Sequence, residues 1–271
     1  MGNFEKDAMD DAHKIWLTIK FEMRKHFRRK RFAMAVGISL FIALIFSFLP
    51  FMVGGDFPDT GIAFFNNNLG FVDMLIVIVA AIFAGDVISS EFEKKTGLLL
   101  FPTPQRRGTI FVGKFIAALI PVLLSVGVYY LVTSISVVVI YGIAELPIEG
   151  VYSFLIALLY STSIVSVIYL FSSFMKRSIT SSLVGFFLIM MIFPIISMIM
   201  NAAGVEPWFI LTYSGDLITT VLDVTSDTFG PGRGMGSLSE PDTVLGLIMM
   251  GAYTVLGFGG GLVLAMRRRM E

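Results

Sequence analysis

Apolar residues fall along this chain in long runs separated by short polar stretches, and the length of each run defines the element it forms. A helix crossing a bilayer needs about 20 mostly apolar residues, because lipid offers no partner to backbone N–H and C=O groups. Six runs reach that length, at about 32–53, 69–88, 115–141, 151–175, 179–200 and 244–266. Two of them carry an internal proline, Pro121 and Pro194. The second run also contains Asp73 and Asp86, which stand about 20 Å apart along a helix and are expected near opposite interfaces. The pattern therefore predicts an all-α integral membrane protein of six transmembrane helices.

The segments between the runs orient them. Nine Lys or Arg precede the first run, five lie between the second and third, two between the fourth and fifth, and three follow the sixth, so nineteen of the twenty bases share one side. The alternate segments hold ten carboxylates, from Asp56 to Asp242, with Arg233 as their only base. By the positive-inside rule both termini are cytoplasmic. The chain then divides into a cytoplasmic arm (1–31), a transmembrane domain (32–266) with a cytoplasmic segment at 89–114 and an outer loop at 201–243, and a short tail (267–271). No cleavable signal is expected, since mostly polar residues precede the first run.

Within the arm, Ile15, Trp16, Ile19, Met23 and Phe27 fall on one arc of a helix, while Lys14, Lys20, Arg24, Lys25 and Arg28 occupy much of the rest. This is the pattern of an amphipathic helix lying on the inner leaflet. A cytosolic helix packed on a partner protein uses the same residues. His13 and His26 read as ordinary interfacial side chains.

Composition narrows the chemistry. Apolar residues make up 56% of the chain and charged residues 15%, where about 25% is usual in soluble domains. With no Cys, and with both His before residue 27, thiolate chemistry, imidazole zinc sites and a Ser-His pair inside the membrane are all excluded. No charge occupies the central part of spans three to six, which disfavours an ion-coupled carrier. The stretch Gly108-Thr-Ile-Phe-Val-Gly113-Lys114 matches the opening of a phosphate-binding loop, but Phe115 stands where the Mg²⁺-binding hydroxyl belongs and a membrane span follows. Nothing in the chain points to nucleic acid, to a metal site or to a cofactor of its own.

The 89–114 segment carries the strongest functional signal. Ser90 with Glu93 fits an S-x-x-E capping box, so a helix is expected to begin at Glu91, and Pro102 and Pro104 end it after about ten residues. Glu91, Glu93, Lys94 and Lys95 are expected to face water or a partner, with Leu98, Leu99, Leu100 and Phe101 as an apolar end. Asp86, Glu91-x-Glu93, Thr96-Gly97-Leu98, the Leu run, Pro102, Arg106-Arg107 and Gly113-Lys114 resemble the E-x-G-T-L … L-L … P … R … G-K stretch of ABC-2 type transporter permeases. Here Thr-Gly-Leu stands in place of Gly-Thr-Leu.

The resemblance implies the membrane subunit of an ATP-binding cassette exporter in the cell membrane, without catalytic residues. Two such subunits, identical or related, would form the pathway, and a separate ATPase subunit would bind ATP and Mg²⁺. It further implies that Glu91, Glu93, Lys94, Lys95, Leu98, Leu99, Phe101, Arg106 and Arg107 couple to that ATPase, and that Trp208 and Tyr213 belong to an outer gate. A passive channel or a structural scaffold fits the composition too, but leaves the 89–114 segment without a role. In span four Thr162, Ser166, Tyr169 and Ser173 share a face, and Thr133 belongs to a polar cluster in span three. These read either as helix-to-helix packing or as the lining of a path for an amphipathic substrate.

Overall fold

The computed structural model describes residues 2–28, 30–53, 57–93, 107–222 and 241–267, with side chains from residue 11 onward except for 50–53. The described residues are helical throughout their regular elements, and six helical columns among them are long and apolar enough to cross a membrane. Helix α1 (Gly2–Arg28) leads through Lys30, at φ 57°, into α2 (Arg31–Val53), the first column. A side chain in that left-handed conformation costs roughly 1–2 kcal/mol, and here it forms the elbow between two long helices.

The second column differs from the 69–88 expected. It runs from Gly61 to Glu93 as α3 (Gly61–Leu69), α4 (Val72–Ala84) and α5 (Ser89–Glu93), broken at Gly70–Phe71 and again at 85–88. Polar Asn66, Asn67 and Asn68 depress the apolar signal of α3, yet Phe64, Phe65 and Leu69 bury it in the protein. Asp73 consequently sits in the first turn of α4, at a break within the column rather than at its end.

The third column, α6 (Arg107–Tyr141), starts eight residues before the expected 115. Lys114 lies inside it and is 3% exposed, because its charge is met by carboxylates of neighbouring elements instead of water. A short 3₁₀ turn (Ile143–Glu145) connects to α7 (Glu149–Phe174). The fifth column is interrupted: α8 (Ser178–Phe187), a π-helical turn (Leu188–Ile192) and α9 (Phe193–Ala202). Pro194 has no N–H for the regular ladder, so a proline just beyond a widened turn gives the distortion a covalent cause. Two short helices, α10 (Leu211–Gly215) and α11 (Leu217–Thr220), precede α12 (Thr243–Arg267).

Column two forms the centre. Leu75, Ile76, Val79 and Phe83 of α4 are fully buried against Phe111, Ala118 and Val122 of α6 and Ile164 and Ile168 of α7. Lipid tails are as apolar as these side chains, so such packing is held by close contact and shared polar bonds more than by escape from solvent. The α7–α12 pair shows this most clearly. A Cβ on Gly257 would come 2.8 Å from the Ser166 backbone, and one on Gly261 would meet the Tyr169 ring at 2.6 Å. Where the glycines let the helices touch, Ser163 donates to the Met250 carbonyl at 2.7 Å. Large apolar side chains stay exposed on α2 (Phe41, Phe48), on the fifth column (Ile179, Ile199) and on α12 (Val255, Leu256).

Candidate functional site

The ends of columns one, two and three meet α1 at the basic end of the bundle, and a set of ion pairs ties them together. Lys114 Nζ lies 2.5 Å from Glu22 Oε1 on α1 and 2.9 Å from Glu91 Oε1 on α5. Lys25 adds a second contact to Glu22 at 3.0 Å. Beside them Arg31, at the start of α2, donates to Asp86 Oδ2 at 2.6 Å. Three cations and three carboxylates thus balance within one cluster. A buried charge is tolerated only when paired and hydrogen-bonded, so each member fixes the position of the next.

Burial acts on Glu22 first and raises its pKa, but the Lys114 and Lys25 charges and their hydrogen bonds outweigh it and hold the carboxyl at about 2. His26 sits in the same cluster, edge-on to Phe83 with ring centroids 5.1 Å apart. Its Nδ1 is buried without a partner, and burial pushes its pKa below the ordinary 6.5 despite Glu22 and Asp86 nearby. The histidine is therefore a core side chain, not the interfacial one expected.

This geometry corrects the expected capping box. Ser90 is already inside α5, its amide donating to the Asp86 carbonyl at 3.1 Å, so the helix begins at Ser89 and Ser90 is not its cap. Glu91 is buried on Lys114 and does not face water. Glu93 is exposed, and its Oε2 accepts from the Ser178 amide at 2.9 Å and the Ser178 hydroxyl at 2.6 Å. It thereby caps the first turn of α8 from another column, satisfying donors left open at a helix start. Arg107 opens α6 and is exposed. Lys94, Lys95, Leu98, Leu99, Phe101 and Arg106, with the two prolines, lie outside the described residues.

One residue in this region had no functional signal in the sequence. Ser172 of α7 accepts hydrogen bonds from the Ile88 and Ser89 amides, at 3.0 and 3.2 Å, where column two loses its regular ladder. Only its register on span four, one residue before Ser173, hinted at a buried polar face.

The seven residues of the phosphate-loop look-alike are helical, not a loop. Gly108 through Lys114 form the first turns of α6, with Lys114 committed to two carboxylates.

The polar stripe of span four is used for packing. Ser166 faces Gly257, Tyr169 donates to the Phe111 carbonyl at 3.1 Å, and Ser173 bonds its own helix at Tyr169. Thr162 donates to Leu158 O, and Thr133 is fully buried with no partner for its hydroxyl. The structure separates the two outer aromatics: Trp208 is half-exposed, edge-on to Phe209, while Tyr213 is buried in α10. The outer loop beyond Leu222 lies outside the described residues as far as 240.

The described residues thus form six helical columns long and apolar enough to cross a membrane, with a charged junction where the ends of columns one, two and three meet α1. The sequence profile of the ABC-2 family transporter proteins matches residues 5–264, so the chain belongs to that family and is the membrane component of an ABC transporter. Family membership places it in a membrane with an ATPase partner. No curated protein matches it significantly.

Proposed function

We propose that the chain is the permease subunit of an ATP-driven exporter in the cell membrane, working as a pair with an identical or related subunit. ATP and Mg²⁺ are held by a separate ATPase, and the 94–106 segment docks on it from the cytoplasmic side. The observation that supports this reading is the Glu22–Lys114–Glu91 bridge with Glu93 on Ser178. The docking segment hangs between Glu93 and Arg107, so a push on it is delivered at once to α1, to span three and to the start of span five. Glu91 in this scheme is a positioning residue, holding the base of the segment rigid, and the partner surface falls to Lys94, Lys95, Leu98, Leu99, Phe101 and Arg106. Trp208 remains the candidate for an outer gate.

The test is co-purification of the ATPase and its substrate-stimulated activity. Leu99→Asp places a charge in an apolar contact and is expected to lose both while insertion and yield stay normal, since truncating or misplacing an interfacial charge costs about 2–5 kcal/mol. Glu93→Gln is expected to keep the ATPase bound but reduce stimulation. Full coupling in both variants rejects the docking role and leaves a passive channel or scaffold as the better reading.

A further inference from the structure

A cleft of about 290 Å³ opens between α4, the π-helical stretch of the fifth column and α10, far from the charged junction. Its volume is at the lower end for small-molecule sites. The apolar wall is made by Met74, Met190, Met191, Met198, Ile189 and Ile195. Methionine is flexible and polarisable, so such a wall adapts to ligands of different shape and favours soft, aromatic surfaces. The π-helical turn supplies three of these residues in succession, Ile189, Met190 and Met191, and π-turns inside helices are frequent at functional sites.

The polar end of the cleft is built differently. Asp73 lines it, and its Oδ1 is sealed from solvent, with the Tyr160 hydroxyl as its neighbour. A Cβ on Gly215 would meet both this oxygen, at 3.0 Å, and the hydroxyl end of the Tyr160 ring, at 2.9 Å, so the glycine leaves the room in which the two side chains sit. Asp216 stands on the same wall, with Tyr213, Thr212 and Ser197. The hydroxyls of Thr212 and Ser197 are buried and unpartnered. Among the described residues no Lys, Arg or His makes an ion pair with Asp73. A carboxylate within a membrane span is expensive, and where it persists it marks a substrate or ion path with a counter-charge to be named. Among the described residues the cleft has an apolar, methionine-rich wall and a negative end, but no cation.

We propose that this cleft is the binding site for an organic cation with an apolar body, its charge at Asp73 and its hydrophobic part against the methionine wall. A metal ion or proton would not use that wall, and a neutral lipid would leave the carboxylate unmatched. The inference rests on the transport reading and names its substrate class, yet binding requires neither ATPase nor turnover.

The experiment is equilibrium binding of tetraphenylphosphonium to the purified subunit in nanodiscs, with tetraphenylborate as an anion of the same shape. Saturable binding of the cation alone is expected. Asp73→Asn should weaken it by about tenfold or more, with melting temperature unchanged or raised because a buried charge is gone. Met198→Trp, at an exposed position on the cleft wall, should also weaken it without touching the carboxylate. Equal binding of both ions, or cation binding indifferent to Asp73→Asn and Met198→Trp, overturns the assignment, as does absence of saturable binding. Normal ATPase coupling with no Asp73-dependent binding sinks this inference alone. Asp73-dependent binding by a chain that never engages an ATPase preserves the site and sinks the exporter.

Discussion

Thr18 of α1 sits directly over Gly113 of α6, so close that a Cβ on residue 113 would fall 2.8 Å from the Thr18 Cβ. The glycine before Lys114 is thus a seat for the N-terminal helix, and it sets the distance at which Glu22 reaches the lysine. Gly113→Val is expected to lift α1 from the bundle and destabilise its docking by about 1–3 kcal/mol, the usual cost of overpacking. Limited proteolysis within α1 measures this. Pairing Gly113→Ala with Thr18→Gly should restore protection, and failure of that rescue breaks the link between the two residues.

Lys114 is a second point of leverage. Lys114→Met leaves Glu22 and Glu91 facing each other in a buried site, and loss of one partner of a buried pair costs about 3–5 kcal/mol. Thermal unfolding in detergent reads the loss. The triple change Lys114→Met, Glu22→Gln, Glu91→Gln removes all three charges and should recover most of it. A triple variant as unstable as the single one shows that the lysine stem, and not its charge, is what the site needs.

Docking of α1 is also expected to depend on pH in two steps. A group whose pKa is lowered by folding contributes stability that is complete above its ordinary value and is lost as the pH falls through the folded one. For His26 the loss begins below 6.5, and for Glu22 it runs from 4.5 down to about 2. Amide protection in α1, relative to intrinsic exchange at each pH, should therefore fall first on mild acidification and again in stronger acid. His26→Gln should remove the first step and Glu22→Gln the second; a profile flat between pH 7 and 5 in the unmodified protein contradicts the buried neutral histidine.

The outward side of α1 carries its own expectation. Ile19 and His26 face the bundle, but Trp16, Phe21 and Phe27 are 62%, 66% and 56% exposed, alongside exposed Lys20, Arg24 and Arg28. Such a mixed aromatic and basic surface suits an anionic inner leaflet. Trp16→Asp with Phe27→Asp should reduce the yield of membrane-assembled protein, as each large side chain is worth roughly 1.5–3 kcal/mol of apolar burial. Normal yield of the double variant, and no Trp16-dependent emission shift when the unmodified protein meets anionic vesicles, favour a helix standing clear of the lipid.

Topology is open to direct labelling. Cysteines replacing Asp59 and Glu149 should react with an impermeant maleimide from outside, and one replacing Lys176 should not. Reaction at Lys176→Cys from outside reverses the orientation drawn from the charge distribution.

The six columns could be read from the sequence because run length is a local property: about 20 apolar residues in a row have few other fates. What escaped was polar residues whose partners are remote. Ser90-x-x-Glu93 has the spacing of a capping box, but Glu93 finds Ser178, eighty-five positions away, and no local rule points there. Lys114 was placed at a loop end because a lone lysine beside an apolar run reads as a boundary. The better signal was scarcity: in a chain with so few charges, Glu22, Glu91 and Lys114 next to apolar runs each demanded a counter-ion. Column two was underestimated at its outer end because three asparagines hide an apolar face made by Phe64, Phe65 and Leu69.

The bare glycine face of α12 bears on how such a machine divides its labour. With Gly257 against the Ser166 backbone and Gly261 against the Tyr169 ring, α7 and α12 mesh without intervening side chains that could re-pack, so sliding one past the other would drive atoms into overlap within an ångström or so. In the proposed transport cycle the two columns would move as one body. On the coupling proposed above, a stroke from the ATPase passes instead through Glu93 to the fifth column, which carries the widened π-helical turn.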